Sequence, residues 1–287
     1  MVKVGFIGVG QMGGLLARFL LKDRYPVVVF DIDPKCVDQL VHEGAEAASG
    51  PKDLTQKADV VITVLTYPKV VEEVVCGSGG VVEGLSKNKI LIETSSIDAD
   101  TSIRVGKEVL SHGGRYLEAA LIGPPPVVAA KQLIFLTAGD EESARDCEPL
   151  FLSMGKKSIY VGGPGKAKLV KIANAMVYAV ETTALYEALA WSMRNEIAPE
   201  ALIELRRHRI SVNLDQITEI LKGNLTRQPN WVIKDIYHGL MNAELNEIPM
   251  PLVSTIRTMV QWARSQGMEE YPFSEMMWTL YEQTLKK

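Results

Sequence analysis

The chain is poor in the residues that would build a disulfide or metal scaffold. Its three cysteines, Cys36, Cys76 and Cys147, are scattered, odd in number and never paired as CxxC. That excludes a disulfide framework and favours reduced thiols, so a cytoplasmic location is expected. The four histidines, His42, His112, His208 and His238, show no metal-ligand spacing, and no metal is expected. Positive charge is not in excess: the formal net charge is −4, which makes nucleic acid a poor partner. No run of eighteen apolar residues is free of charge. The nearest candidate, Leu169–Met193, contains Lys171, Glu181 and Glu187 and reads as a buried helix, so no membrane association is expected. The opening "MVKVGFIGVGQMGG" is studded with glycine and does not read as a signal peptide.

What is present is a globular composition, 47% hydrophobic and 23% charged, over 287 residues, enough for two ordinary domains. Short β-branched runs ("VKVGFIG", "VVVFD", "ADVVITVLT", "NKILIETSS", "RYLEAALIG", "QLIFLTAG", "SIYVGG") alternate with helical patterns through the first half. Such alternation predicts an α/β fold, a doubly wound parallel sheet covered on both faces. From Lys166 onward only helical periodicity remains, punctuated by Pro199, Gly223, Pro229, Pro249, Pro251 and Gly267. The expected domains are therefore residues 1–164, a dinucleotide-binding Rossmann domain, and 165–287, an all-helical domain.

Gly8, Gly10 and Gly13 have GxGxxG spacing between a strand and a helix in the first βαβ unit. Glycines there permit a tight turn and close backbone approach to a pyrophosphate, and the helix N-terminus supplies amide donors. Asp31 ends the second strand, where a carboxylate accepts from ribose hydroxyls and repels a 2′-phosphate; Asp33 adds to that repulsion. NAD is expected over NADP. The alternative is a glycine turn that holds no cofactor.

In "KLVKIANAMVYAV" (168–180), Lys171 and Asn174 are three residues apart, hence on one helix face, among apolar neighbours. A lone lysine on a helix is most often solvated. A polar pair in an apolar helix must instead be satisfied by partners or line a cavity.

These segments together resemble the β-hydroxyacid dehydrogenases, the family of 3-hydroxyisobutyrate dehydrogenase and tartronate semialdehyde reductase. "GFIGVGQMGGLLA" is similar to the family's nucleotide signature. "GSGGVVEGL" and "LIETSS" are similar to its middle cofactor segment, "GPGKAKLVKIANA" to its catalytic segment, and "KDI" (234–236), "IPMPL" and "SQGMEEYPFSEM" to its later motifs. The resemblance implies that Lys171 is the general acid/base and Asn174 its partner on the substrate. It implies cofactor contacts from Gly8, Val9, Gly10, Gln11, Met12, Gly13, Asp31, Leu65, Thr66, Ser95 and Lys234. It implies substrate contacts from Ile122, Gly123, Trp231 and Asp235, with the Lys171 helix buried between domains.

One segment departs. Where the family has D-A-P-V-S-G-G, this chain has "EAALIGPPP", Glu118 to Pro126. Ile122 lacks the serine hydroxyl, and Pro124, Pro125 and Pro126 have no N–H to offer a carboxylate. Either the substrate has no carboxylate there or another group, such as Arg209, holds it. Three functions remain open: a dehydrogenase or reductase of a small hydroxy compound or aldehyde, an imine reductase, and a non-catalytic dinucleotide-binding module. Apolar surplus in the helical part predicts a homodimer or homotetramer.

Overall fold

A computed structural model of the chain describes residues 2–194, 196–207, 214–224, 231–245, 247 and 250–285. It divides into two compact units, Met1–Lys171 and Ile172–Lys287.

The first unit holds one eight-stranded sheet. In chain order its elements are β1 (Val4–Ile7), α1 (Gln11–Lys22), β2 (Val27–Phe30), α2 (Pro34–His42), β3 (Glu46–Ala47), α3 (Pro51–Lys57), β4 (Val60–Thr63), α4 (Pro68–Cys76), β5 (Ile90–Glu93), α5 (Ala99–Ser111), β6 (Arg115–Ile122), α6 (Pro125–Ala129), β7 (Ile134–Gly139), α7 (Glu141–Met154) and β8 (Lys157–Tyr160). The strand order is β3-β2-β1-β4-β5-β6-β7-β8. Its first six strands have the doubly wound order that places a crevice outside the strand ends beside β1 and β4.

Alternation along the strands explains why both faces are covered. Val4, Phe6, Val60, Ile62, Ile90 and Ile92 enter one core with α1 and α7 residues. Val28, Val61, Leu91 and Tyr116 enter the other. Residues of opposite parity point to opposite faces.

The sheet is doubly wound and parallel as expected, with one antiparallel pair. β7 pairs antiparallel with β6, Ile122 against Ile134, and β8 pairs parallel with β7. The link from β6 to β7, residues 123–133, holds only the five-residue α6, too short a helix to lie along the sheet as a parallel crossover does. The chain therefore folds straight back.

Helix α8 (Lys166–Arg194) runs through the division between the units. Its start belongs with the sheet because its polar contacts are there: Gly165 N–H donates to Glu118, and Lys168 donates to Glu93. The second unit continues with α9 (Pro199–Arg207), α10 (Leu214–Leu221), α11 (Trp231–Leu245), α12 (Pro251–Ser265) and α13 (Phe273–Leu285). Pro199 and Pro251 each open a helix, where a missing N–H costs nothing. Tyr186, Ile236, Val260, Met276 and Met277 anchor its core. No helix among the described residues is long and apolar enough to cross a membrane.

Candidate active site

The glycine turn follows β1. Gly8 has φ +88°, and a Cβ there would lie 2.3 Å from the Val64 carbonyl oxygen. A Cβ on Gly13 would lie 2.0 Å from the Gly8 carbonyl oxygen. Gly10 differs: nothing lies within 4 Å of where its Cβ would be. The turn is thus closed against the protein at two glycines and open at the third. α1 begins at Gln11, and the amides of Gln11, Met12 and Gly13 have no acceptor inside the helix. Asp31 holds this turn. Its Oδ2 accepts from Val9 N–H at 2.7 Å and its Oδ1 from Asp33 N–H at 2.9 Å. Each oxygen keeps capacity for a further donor such as a ribose hydroxyl. These residues fit a dinucleotide: open amides for the pyrophosphate and a fixed carboxylate for the ribose.

A second group of contacts lies at the ends of β4 and β5. Leu65 N–H donates to Ser95 Oγ at 2.8 Å, and Ser95 N–H donates to Glu93 Oε1 at 2.6 Å. Thr66, next along, is exposed. Lys168, only 2% exposed, donates to Glu93 Oε2 at 2.6 Å and to the Ser95 carbonyl at 2.8 Å. Lys171, one helical turn later, is half-buried and donates to Ser96 Oγ at 2.9 Å. Sequence reasoning picked out Leu65, Ser95 and Lys171 and missed Glu93, Ser96 and Lys168. The only available signal was a second lysine one turn before the first.

In the middle of β6, Glu118 is fully buried and accepts from Gly165 N–H. Burial pushes its carboxyl above the usual range, opposed by the Gly165 N–H and the Lys168 ammonium. Ile122 is half-buried and packs against the cluster of Ala120, Leu136, Ala138 and Ala167. Ala167 precedes Lys171 by four residues, so both lie on one face of α8. After Gly123 (φ +146°), Pro124 caps α6, and the amides of Val127 and Val128 donate to its carbonyl at 2.9 and 3.2 Å. The first free-standing amides of an ordinary helix start are absent here.

The remaining predicted residues lie in the second unit. Asn174 is exposed, three residues after Lys171 on α8. Val170 and Val177 are 39% and 55% exposed, so exposure on this helix is less limited than its apolar composition suggests. Trp231 opens α11 with its ring 5.8 Å from that of Tyr178; Lys234 is half-buried and Asp235 buried on the same helix. Arg209, and Ile248 with Pro249 of "IPMPL", lie outside the described residues. Among the described residues no His, Cys, Asp or Glu cluster has the arrangement to hold a metal ion.

Residues 3–162 match the family model described as the NAD binding domain of 6-phosphogluconate dehydrogenase. The mitochondrial 3-hydroxyisobutyrate dehydrogenase of Mus musculus is 31% identical over 70% of this chain and 60% of its own. Glyoxylate/succinic semialdehyde reductase 1 of Arabidopsis thaliana is 28% identical over 96% of this chain and 97% of its own. The chain belongs to the β-hydroxyacid dehydrogenase family. Within that family its fold is matched by the Mycobacterium tuberculosis 3-hydroxyisobutyrate dehydrogenase, solved with L-serine: TM-score 0.84, 23% identity, 98% of this chain and 99% of that one. Against some longer relatives the chain spans only 43% to 60% of their length.

Proposed function

We propose that this family member is an NAD-dependent oxidoreductase that interconverts a small hydroxy compound and its aldehyde or ketone. The observation that carries the reading is the Lys171 ammonium, 2.9 Å from Ser96 Oγ, on the turn that also holds Ser95 against Leu65. NADH, when bound, supplies the hydride. In the reducing direction the Lys171 ammonium gives a proton to the oxygen of the substrate carbonyl, and in the oxidising direction the amine takes it back. Asn174 donates to the same oxygen. On the family resemblance, Trp231 and Asp235 are assigned to the substrate and Lys234 to the cofactor.

The Asp31 carboxylate supports NAD over NADP, since a 2′-phosphate would meet its charge. The proline-rich turn supports a substrate with no carboxylate at that point, contacted by Ile122 and Gly123. The same turn gives an imine substrate some standing; Lys171 favours the carbonyl. Two further readings follow. Met241 and Leu245 on α11 and Leu252 and Trp262 on α12 are 53% to 80% exposed, which supports a homodimer or homotetramer; a monomeric sedimentation profile at micromolar concentration would sink it. The three cysteines are odd in number and form no disulfide, which supports a cytoplasmic setting, to be checked by the distribution of a fluorescent fusion.

The test is NADH oxidation with aldehyde pairs, one member bearing a free carboxylate and the other the same group masked as an ester. NADPH runs in parallel. Lys171→Ala should cost about 10²- to 10⁴-fold in kcat while NADH binding survives. Wild-type turnover in that variant would refute the catalytic assignment, and an absence of turnover by the native chain would leave a dinucleotide-binding module.

A further inference from the structure

Lys168 is an expensive residue in its position. Its ammonium and the Glu93 carboxylate are 2% and 0% exposed, and withdrawing two charges from water is repaid only by close geometry and further hydrogen bonds. A pair of apolar side chains of similar volume would hold helix to strand as well. What apolar side chains would not do is grip a specific backbone.

That grip is what the hydrogen bonds describe. Glu93 Oε1 accepts the Ser95 N–H at 2.6 Å, Glu93 Oε2 accepts from Lys168 Nζ at 2.6 Å, and Lys168 Nζ also donates to the Ser95 carbonyl at 2.8 Å. Ser95 is therefore held at both ends of its backbone by one ion pair. Its hydroxyl in turn accepts the Leu65 N–H at 2.8 Å, and the hydroxyl of the next residue, Ser96, accepts from Lys171 Nζ at 2.9 Å. Lys168 and Lys171 are one turn apart on α8. The circuit runs from helix to strand end, through the serine turn, and back to the helix.

We propose that the Lys168–Glu93 pair is a positioning device: it sets the depth of the Ser95–Ser96 turn against Leu65 and the place of the Lys171 ammonium against Ser96. This rests on the functional reading above, in which that turn meets the nicotinamide and Lys171 moves the proton. Neither Lys168 nor Glu93 touches a reacting atom.

The test replaces the pair together, Lys168→Met with Glu93→Met, so that no charge is left buried alone. The double variant is expected to unfold at a midpoint close to that of the native protein. Its kcat should fall at least about tenfold, as a small misplacement of a catalytic group does, with the aldehyde KM little changed and the NADH Kd raised several-fold. A folded double variant with native kcat and NADH affinity would overturn the proposal. Glu93→Asp, which keeps both charges and shortens the reach by one methylene, decides the matter if the double variant fails to fold: native kcat and NADH affinity there would equally overturn it, and a loss of kcat at an unchanged midpoint supports it. If the native chain reduces none of the aldehydes, the functional reading fails by itself, and the NADH Kd of the same variants still reads whether the pair positions the turn.

Discussion

Two turns leave the same edge of one sheet and do opposite things. β1 and β6 point the same way, linked through parallel pairings of β1 with β4, β4 with β5 and β5 with β6. The turn after β1 has three glycines and opens a twelve-residue helix with its amides unclaimed. The turn after β6 has three prolines and opens a five-residue helix whose available amides, Val127 and Val128, already bond Pro124. One is an anion cradle built from backbone. The other has had its donors removed and an isoleucine set beside it. Topology puts both turns where ligands bind; residue choice decides what each will accept.

The largest effect should come from closing the glycine turn. In Gly13→Ala the new methyl group would meet the Gly8 carbonyl oxygen at 2.0 Å, and both partners are backbone with no side chain to give way. Either α1 moves away from β1 or the turn deforms. NADH affinity should fall about 100-fold, ~2.7 kcal/mol, and stability by about 1 to 3 kcal/mol. Fluorescence quenching of NADH and a urea unfolding curve measure the two. Gly10→Ala, where nothing lies within 4 Å, is the matched control and should leave stability nearly unchanged.

The proline turn is tested by restoring what it lacks. Ile122→Ser with Pro124→Gly returns a hydroxyl and an amide to the end of β6. The KM for the aldehyde carrying a free carboxylate should drop about tenfold, ~1.4 kcal/mol, while the masked ester holds steady or binds less well. If both members of the pair respond alike, the loop does not select on charge, and Lys234 becomes the next residue to substitute.

Much of this comparison can be read from the sequence because it is local. The glycine spacing, the strand before it and the helix after it lie within about twenty residues, and the prolines announce their missing N–H groups wherever they occur. What stayed hidden is non-local. β3 is two exposed residues, Glu46 and Ala47, too short to show alternation. The reversal of β7 depends on how far a connection can reach. Lys168 and Glu93 are 75 positions apart, and no periodicity pairs a lysine on one helix with a glutamate at the end of a distant strand. Lys171 stood out by its apolar neighbours, yet its expected burial failed for Val170 and Val177, because apolar composition alone does not say which helix face is covered.

The smallest effect concerns the buried carboxyl in the β6 segment that leads to the proline turn. Glu118 starts that stretch, and burial raises its carboxyl above the ordinary value of 4.5. A group whose pKa is raised by folding favours the fold in its protonated form; that contribution is complete below 4.5 and is lost as pH rises through the raised value. Glu118→Gln keeps a carbonyl oxygen for the Gly165 N–H and removes the titration. The variant should match the native protein at pH 4 and exceed it modestly at pH 7 to 8, read as the difference between urea midpoints across that range. The nearby Lys168 ammonium limits the gain, since it already favours the ionised carboxylate. Parallel midpoint curves would mean that folding does not shift the Glu118 carboxyl, which would then ionise as it does in the unfolded chain. The carboxylate would then be ionised at neutral pH in the folded protein, with the Gly165 N–H and the Lys168 ammonium offsetting the cost of its burial.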